Sequence, residues 1–300
     1  TDIEPWIPKL EYLKSAEGKA FYQNETAKLA PVAMKQQKAA YQKQLASWKQ
    51  QTAAAKAAKK RGPRKPVDPI NANRVPAALY NGFIHGLAPY AMKGTIWYQG
   101  ENNTVYRTDQ YRESMLQLVN GWRAHWGQDK FYFLWCQLAN KNTANVAPNE
   151  GDAWVQIQNQ QREVLALTKD TGMAVLNDIG DARNIHPKNK VDAGMRLTLL
   201  ALNKAYAKDV VCSGPLYRSS KIVGSKVVIT FDHSGAGLMA GKKVGIQPTE
   251  PVDALLSRFQ ICGQDKQWQW AEAQITGKDT IEVWHKAISE PVEVRYAWSS

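Results

Sequence analysis

The chain has 300 residues, 44% of them apolar, and a formal charge of +12. That length suffices for one full hydrophobic core and a smaller companion module. The lack of any run of 18 apolar residues excludes a membrane-spanning helix, so no membrane partner is expected. No signal peptide is visible, and the chain opens on Thr1 rather than Met, as a segment inside a longer precursor would. Three cysteines, Cys136, Cys212 and Cys262, are odd in number and lack C-x-x-C spacing, so they favour neither a metal nor a redox site.

The charge is local. Ten basic residues fall between Lys35 and Lys65 with no acid among them, leaving a balance of +2 elsewhere. Residues 32 to 60 are rich in Ala, Gln and Lys, all good helix formers. Met34, Tyr41, Leu45, Trp48 and Ala55 mark one apolar stripe on a long helix. The run Arg61-Gly62-Pro63-Arg64-Lys65-Pro66 cannot continue that helix and reads as an extended linker. The segment 32–66 is thus a basic helical insertion, expected to be a solvated arm packed on the body. A polyanion-binding arm is the alternative, and no base-reading motif accompanies the charge, so no nucleic-acid partner is expected.

From Tyr90 the pattern changes to short apolar runs alternating with amphipathic helices. Strands are predicted at 93–98, 131–136 and 173–176, and helices at 108–126, 153–168 and 191–206. Tyr111, Met115, Leu118, Val119, Trp122 and Trp126 share one face of the first of these helices. Three successive βα units imply an α/β fold, a parallel sheet flanked by helices on both faces. After about Lys208 the helical periodicity stops. Segments 226–231, 280–284 and 292–296, separated by Gly, Asp and Lys turns, predict an all-β module over 209–300.

In a parallel sheet, ligands bind beyond the carboxyl ends of the strands. The first strand runs into Gln99-Gly100-Glu101-Asn102, the second into Gln137-Leu138-Ala139-Asn140, and the third into Asn177-Asp178-Ile179-Gly180-Asp181 and then Asn184-Ile185-His186-Pro187. Amides, carboxylates and one imidazole therefore converge on one edge. Imidazole moves protons near neutral pH, and a following Pro restricts the backbone that carries His186. Glu101, one residue past a Gly, stands where a carboxylate can orient that imidazole. Gln99 and Asn102, flanking Gly100, offer N–H donors for a developing oxyanion. Trp97 and Tyr98, at strand positions, are candidates for the core. No second His lies at ligand spacing from His186 and no glycine-rich phosphate loop occurs, so neither a metal nor a cofactor is expected.

With these residues in hand, the chain resembles the sialate O-acetylesterase family, a branch of the SGNH carbohydrate esterases. The resemblance is carried by Ala78-Leu79-Tyr80-Asn81-Gly82, by Gly94-Thr95-Ile96-Trp97-Tyr98-Gln99-Gly100-Glu101-Asn102, by Asp178-Ile179-Gly180 and by Asn184-Ile185-His186-Pro187-Lys188-Asn189-Lys190. It implies a flavodoxin-like SGNH core over 1–208, incomplete at its N-terminus, and an accessory β-rich domain over 209–300. It implies a periplasmic or secreted hydrolase that removes acetyl groups from sialic acid or other glycans through an acyl-Ser intermediate, with His186 as base.

The family's Ser, in a Gly-Gln-Ser-Asn type motif, precedes both long blocks, and no such motif occurs here. The Ser would then come from outside the chain, with a separate N-terminal chain as one source. Many SGNH hydrolases place Asp three residues before the His, but Arg183 stands there. Glu101 is then the first choice of orienting acid, by analogy with related acetylxylan esterases, and Asp178 or Asp181 the next. The alternative reading is a non-catalytic carbohydrate-binding or structural fragment.

Overall fold

A computed structural model describes residues 1–69, 74–88, 90–128, 130–141, 148 and 151–298. Two compact units divide the chain, one of residues 1–91 with 113–128, the other of residues 92–112 with 129–300.

The first unit is helical. A single turn, α1 (Lys9–Tyr12), leads to α2 (Ala16–Ala27), which Ser15 caps by accepting a hydrogen bond from the Gly18 N–H at 3.0 Å. Next comes α3 (Pro31–Ala57). In the core of this unit Ile3, Ile7 and Tyr12 from the N-terminal segment, Tyr80, and the predicted face of α4 (Tyr111–Trp126) from Met115 onward are all buried, together with the carboxylates of Asp2, Glu4 and Glu11. Trp122 Nε1 donates to the Trp6 carbonyl at 2.9 Å, so the indole is satisfied at its polar end while its body packs inward. Contrary to the expectation of an arm packed on the body, α3 buries none of its 27 residues. Its apolar stripe is half-buried instead, because the chain following the helix folds back on it, with Trp48 Nε1 donating to the Pro63 carbonyl at 2.9 Å.

The second unit contains the parallel sheet in the order β1-β2-β3, formed by β1 (Gly94–Trp97), β2 (Tyr132–Cys136) and β3 (Thr171–Ala174). Ile96 pairs with Leu134, and Cys136 with Ala174. The central strand is buried on both faces from Phe133 to Cys136, as an apolar run of this kind requires. One face is closed by α6 (Lys190–Leu200), whose Ala193, Leu197 and Leu200 cluster with Leu134, Cys136, Ala174 and Leu176. The helix α5 (Ala153–Leu167) also packs on β3 and turns Trp154, Val155, Ile157 and Val164 inward. Asp152 starts it by accepting the N–H groups of Trp154 and Val155 at 2.9 and 3.1 Å.

β3 lies two residues earlier than its apolar run suggests. Pairing ends when the Ala174 carbonyl accepts the Gln137 N–H at 2.9 Å, and Val175 is then 44% exposed. Antiparallel sheets follow, as expected. One has the order β10-β11-β5-β4, with β4 (Leu216–Val223), β5 (Lys226–Asp232), β10 (Glu272–Ile275) and β11 (Thr280–Trp284). Another joins β12 (Glu293–Tyr296), β8 (Phe259–Cys262) and β9 (Gln269–Trp270). A two-stranded ribbon pairs β6 (Gly241–Lys242) with β7 (Glu250–Pro251). Val227, Ile229, Ile261, Ile281 and Val283 form the core of this region.

Candidate functional site

The loops leaving β1, β2 and β3 are tied together by α5. Its buried stripe is interrupted by two glutamines, Gln158 and Gln161, on the inward face. Gln161 accepts the Leu138 N–H at 2.8 Å and donates to the Gln99 carbonyl at 3.0 Å. Gln158 Nε2 donates to the Leu138 carbonyl at 2.8 Å and to Asn177 Oδ1 at 3.2 Å. Trp154 Nε1 donates to the Ala139 carbonyl at 2.8 Å. One helix face thus holds a residue from each of the three strand ends. Buried hydrogen bonds of this kind contribute roughly 1 kcal/mol each, and leaving their partners unmet costs more. The loops are legible in the sequence, whereas this bracket is not. Its signal was a pair of amides, three residues apart, on an otherwise apolar helix face.

The loop after β1 is shaped by Gly100, whose φ of 145° and close neighbours, Gln161 and Ile157 within about 3.2 Å of a hypothetical Cβ, leave no room for a side chain. Gln99 is buried; its Nε2 donates to Asn103 Oδ1 at 2.7 Å, and the Tyr111 hydroxyl donates to its carbonyl at 3.1 Å. Glu101 opens a short 3₁₀ turn, Glu101–Thr104, and is half-buried together with Asn102. Among the described residues the Glu101 carboxylate makes no hydrogen bond or ion pair.

The loop after β3 is held from two sides. Asn140, from the end of β2, accepts the Gly180 N–H on its Oδ1 at 2.8 Å, and a Cβ on Gly180 would stand 1.8 Å from the Asn140 carbonyl oxygen. Arg196 of α6 grips both oxygens of Asp178 at 2.6 Å and also donates to the Val175 carbonyl at 2.5 Å. Asp181 accepts the Arg183 N–H at 2.9 Å, closing its own turn. Asn184 accepts the His186 N–H at 2.9 Å, Pro187 is buried, and Asn189 caps α6 by accepting the Asp192 N–H at 3.0 Å. Asn189 Nδ2 also donates to the Gly245 carbonyl at 2.8 Å, and Lys243 pairs with Asp192 at 2.5 Å. The β-rich region therefore touches the chain within a few residues of His186.

His186 is exposed and its ring makes no hydrogen bond among the described residues. Both candidate carboxylates next to it in sequence are engaged elsewhere, Asp178 with Arg196 and Asp181 with its turn. The two resembling blocks meet at Tyr98, where the Lys190 ammonium lies 4.6 Å from the ring centroid. Burial pushes the Tyr98 phenol well above its ordinary range, and the neighbouring charge of Glu101 adds to this. Burial likewise pushes the Cys136 thiol up to about 12, with Glu101 reinforcing and Lys190 opposing the shift. The thiol is therefore an inert core group. Trp97 belongs to the core, 8% exposed and packed on Phe133.

Among the described residues no group of three His, Cys, Asp or Glu could hold a metal ion. A cavity of about 1980 Å³ is lined by Val227, Ile229, Phe231 and others and reaches Gln137 and Asn177 at the strand ends, but Gln99, Gly100, Glu101, Asn102, Asp178, Asp181 and His186 do not border it.

Residues 72–198 match the family of carbohydrate esterases described as sialic acid-specific acetylesterases. The chain is 29% identical over 245 residues to the sialate O-acetylesterase of Mus musculus, covering 75% of this chain and 42% of that protein. To the sialate O-acetylesterase of Homo sapiens it is 26% identical over 257 residues, with shares of 78% and 46%. A crystal structure of a novel carbohydrate acetylesterase from Xanthomonas citri superposes with a TM-score of 0.65 at 37% identity, covering 77% of this chain and 51% of that one. The chain thus spans less than half the length of the curated relatives it matches. The expectation of a separate Ser-bearing chain finds no support in these comparisons. With the two sequence blocks meeting at Tyr98 and with relatives matching three quarters of its length, the chain is related to the sialate O-acetylesterases and other carbohydrate acetylesterases.

Proposed function

We propose that this chain carries the acid–base part of a serine-type carbohydrate O-acetylesterase, in a periplasmic or secreted protein. His186 takes the proton from a seryl hydroxyl supplied by residues outside the 300, and the alkoxide attacks the acetyl carbonyl. Glu101 orients the imidazole and stabilises the imidazolium. Gln99, Gly100 and Asn102 surround the oxyanion of the tetrahedral intermediate. As the bond from the acyl carbon to the sugar oxygen breaks, the protonated imidazole gives its proton to that oxygen, leaving acetyl-Ser, which water activated by the same imidazole hydrolyses to acetate and free Ser. The substrate class is O-acetylated sugars, sialic acids among them.

The observation that carries this reading is the contrast in how the carboxylates are used. Asp178 and Asp181 are spent on Arg196 and on a turn, whereas Glu101 and His186 keep their side chains free on loops fixed by the same helix. Catalytic hydrogen bonds are often long or unformed without substrate and tighten only in the reacting complex.

The test uses a protein that includes the upstream residues, with an aryl acetate and an O-acetylated sialic acid as substrates. His186→Ala should lower kcat by roughly three orders of magnitude or more. Near-normal turnover in that variant would overturn the assignment. Turnover by the 300 residues alone would mean that another nucleophile exists, with Ser213 and Ser234 the first to be replaced.

A further inference from the structure

The mechanism makes no use of residues 31–65, which contain ten of the twelve net positive charges of the chain. The structure shows how that segment keeps its shape without burying a single residue. Met34, Gln37, Tyr41, Leu45, Trp48, Thr52 and Ala55 recur every three or four positions of α3 and are half-buried. The returning chain covers part of this stripe: Trp48 Nε1 reaches the Pro63 carbonyl, Gly62 passes against Thr52, and the Lys65 ammonium stands 6.0 Å from the Trp48 ring centroid. The Lys60 N–H, donating to the Ala55 carbonyl at 2.8 Å, closes the helix end. The C-terminal part of the apolar side of α3, at Trp48 and Thr52, is thus met by its own continuation.

The flank beside that stripe carries cations. At 100° per residue, Lys35, Lys38, Lys49 and Lys56 fall within an arc of about 60°, spread over about 32 Å of helix. Lys59, Lys60, Arg61, Arg64 and Lys65 extend the row along the return. All ten basic residues from Lys35 to Lys65 are exposed, and among the described residues none forms an ion pair. Exposed cations elsewhere in the chain do find carboxylates, as Lys14 with Glu11, Lys28 with Glu25 and Lys266 with Glu293 show. A rigid row of like charges raises the local concentration of any polymer that carries the complementary charge.

We infer that α3 and its return form a docking surface for a polyanionic glycan, a chain of acidic sugars whose carboxylates pair with the lysine row. This rests on the esterase reading for the choice of a carbohydrate over other polyanions. The arm adds affinity for the polymer and takes no part in breaking the ester bond.

The experiment measures binding of the full chain to polysialic acid and, separately, to a duplex DNA of similar charge, at 50 and 200 mM salt. The wild-type chain should bind polysialic acid and lose affinity by about tenfold or more between the two salt concentrations, as cation–polyanion contacts do. The quadruple variant K35Q/K38Q/K49Q/K56Q keeps good helix formers and should keep its helical circular dichroism. Its affinity for polysialic acid at 50 mM salt should fall by about tenfold or more. Unchanged affinity in a helical variant, or no binding by the wild type, overturns the proposal. Duplex DNA bound tenfold more tightly than polysialic acid also overturns it, in favour of a nucleic-acid partner. Aryl acetate turnover, measured with the upstream residues present, separates the two readings. Lost glycan binding with turnover intact removes the docking surface alone, and intact binding without turnover removes the esterase.

Discussion

The basic arm and the strand-end loops are built by opposite means. In α3 each hydrogen bond is local, no residue is buried, and charge is displayed along a stiff rod. In the loops after β1, β2 and β3 local turns are tied down by long-range bonds. Gln161 reaches 62 residues back to the Gln99 carbonyl, and Asn140 reaches 40 residues forward to Gly180. The difference teaches what each region can be asked to do. A rod held by helix propensity presents many equivalent charges and tolerates change at any one of them. A set of loops cross-tied through buried amides holds a few groups to a fixed geometry and fails when one tie is cut.

That contrast can be broken first at the loops. Gly180→Ala drives a methyl against the Asn140 carbonyl and should destabilise the chain by about 3 kcal/mol or more, read as a lower urea midpoint. A loss below 1 kcal/mol would mean that the latch yields easily. Gln161→Leu leaves the Leu138 N–H and the Gln99 carbonyl unmet in the interior and should cost about 2–4 kcal/mol. Gly100→Ala, at a φ that side chains avoid, should cost about 1–3 kcal/mol. In the protein with its upstream residues, each of these should lower kcat beyond its effect on the folded fraction.

A pH dependence sharpens the comparison. The hydrogen bond from Lys243, aided by Asn189, holds the Asp192 carboxyl below its ordinary range. Its stabilisation is therefore complete above the unfolded value, near pH 4, and is lost as the pH falls through the lower folded value. The stability advantage of wild type over Asp192→Asn should be constant above about pH 5 and shrink below about pH 4. An advantage that persists unchanged to pH 2 would exclude the pair as its source. The smallest effect belongs to the arm, where Lys35→Gln or Lys49→Gln should shift stability by less than about 0.5 kcal/mol.

Much of this was legible in the sequence because it is periodic or terminal. The face of α4, the stripe of α3, and β1 and β2 follow from apolar spacing alone, and the attachment of Gln99 and Asn177 to one helix follows from neighbouring strand ends in a parallel sheet. What was not legible depends on partners far along the chain. The end of β3 is set by its pairing with β2, not by the apolar run that continues through Val175 and Leu176. Asp178 looked available as an orienting acid until Arg196, one helix later, claimed both its oxygens. Gln158 and Gln161 read as faults in an amphipathic pattern, and only the fold shows that the interruptions face four carbonyl or amide groups. β4, with all eight residues exposed, gave no alternation to read.

The contact between Asn189 and Gly245 has a mechanical consequence. His186 rides on a short span whose near end is anchored at Gly180 and whose far end is anchored at Asn189, and the second anchor is driven partly into the β-rich region. A chain cut after residue 208 would keep every residue proposed to touch substrate, yet it would lose the Gly245 carbonyl and the Lys243 ammonium on which the far abutment rests. The region that resembles a dispensable appendage is, for this histidine, half of the bridge.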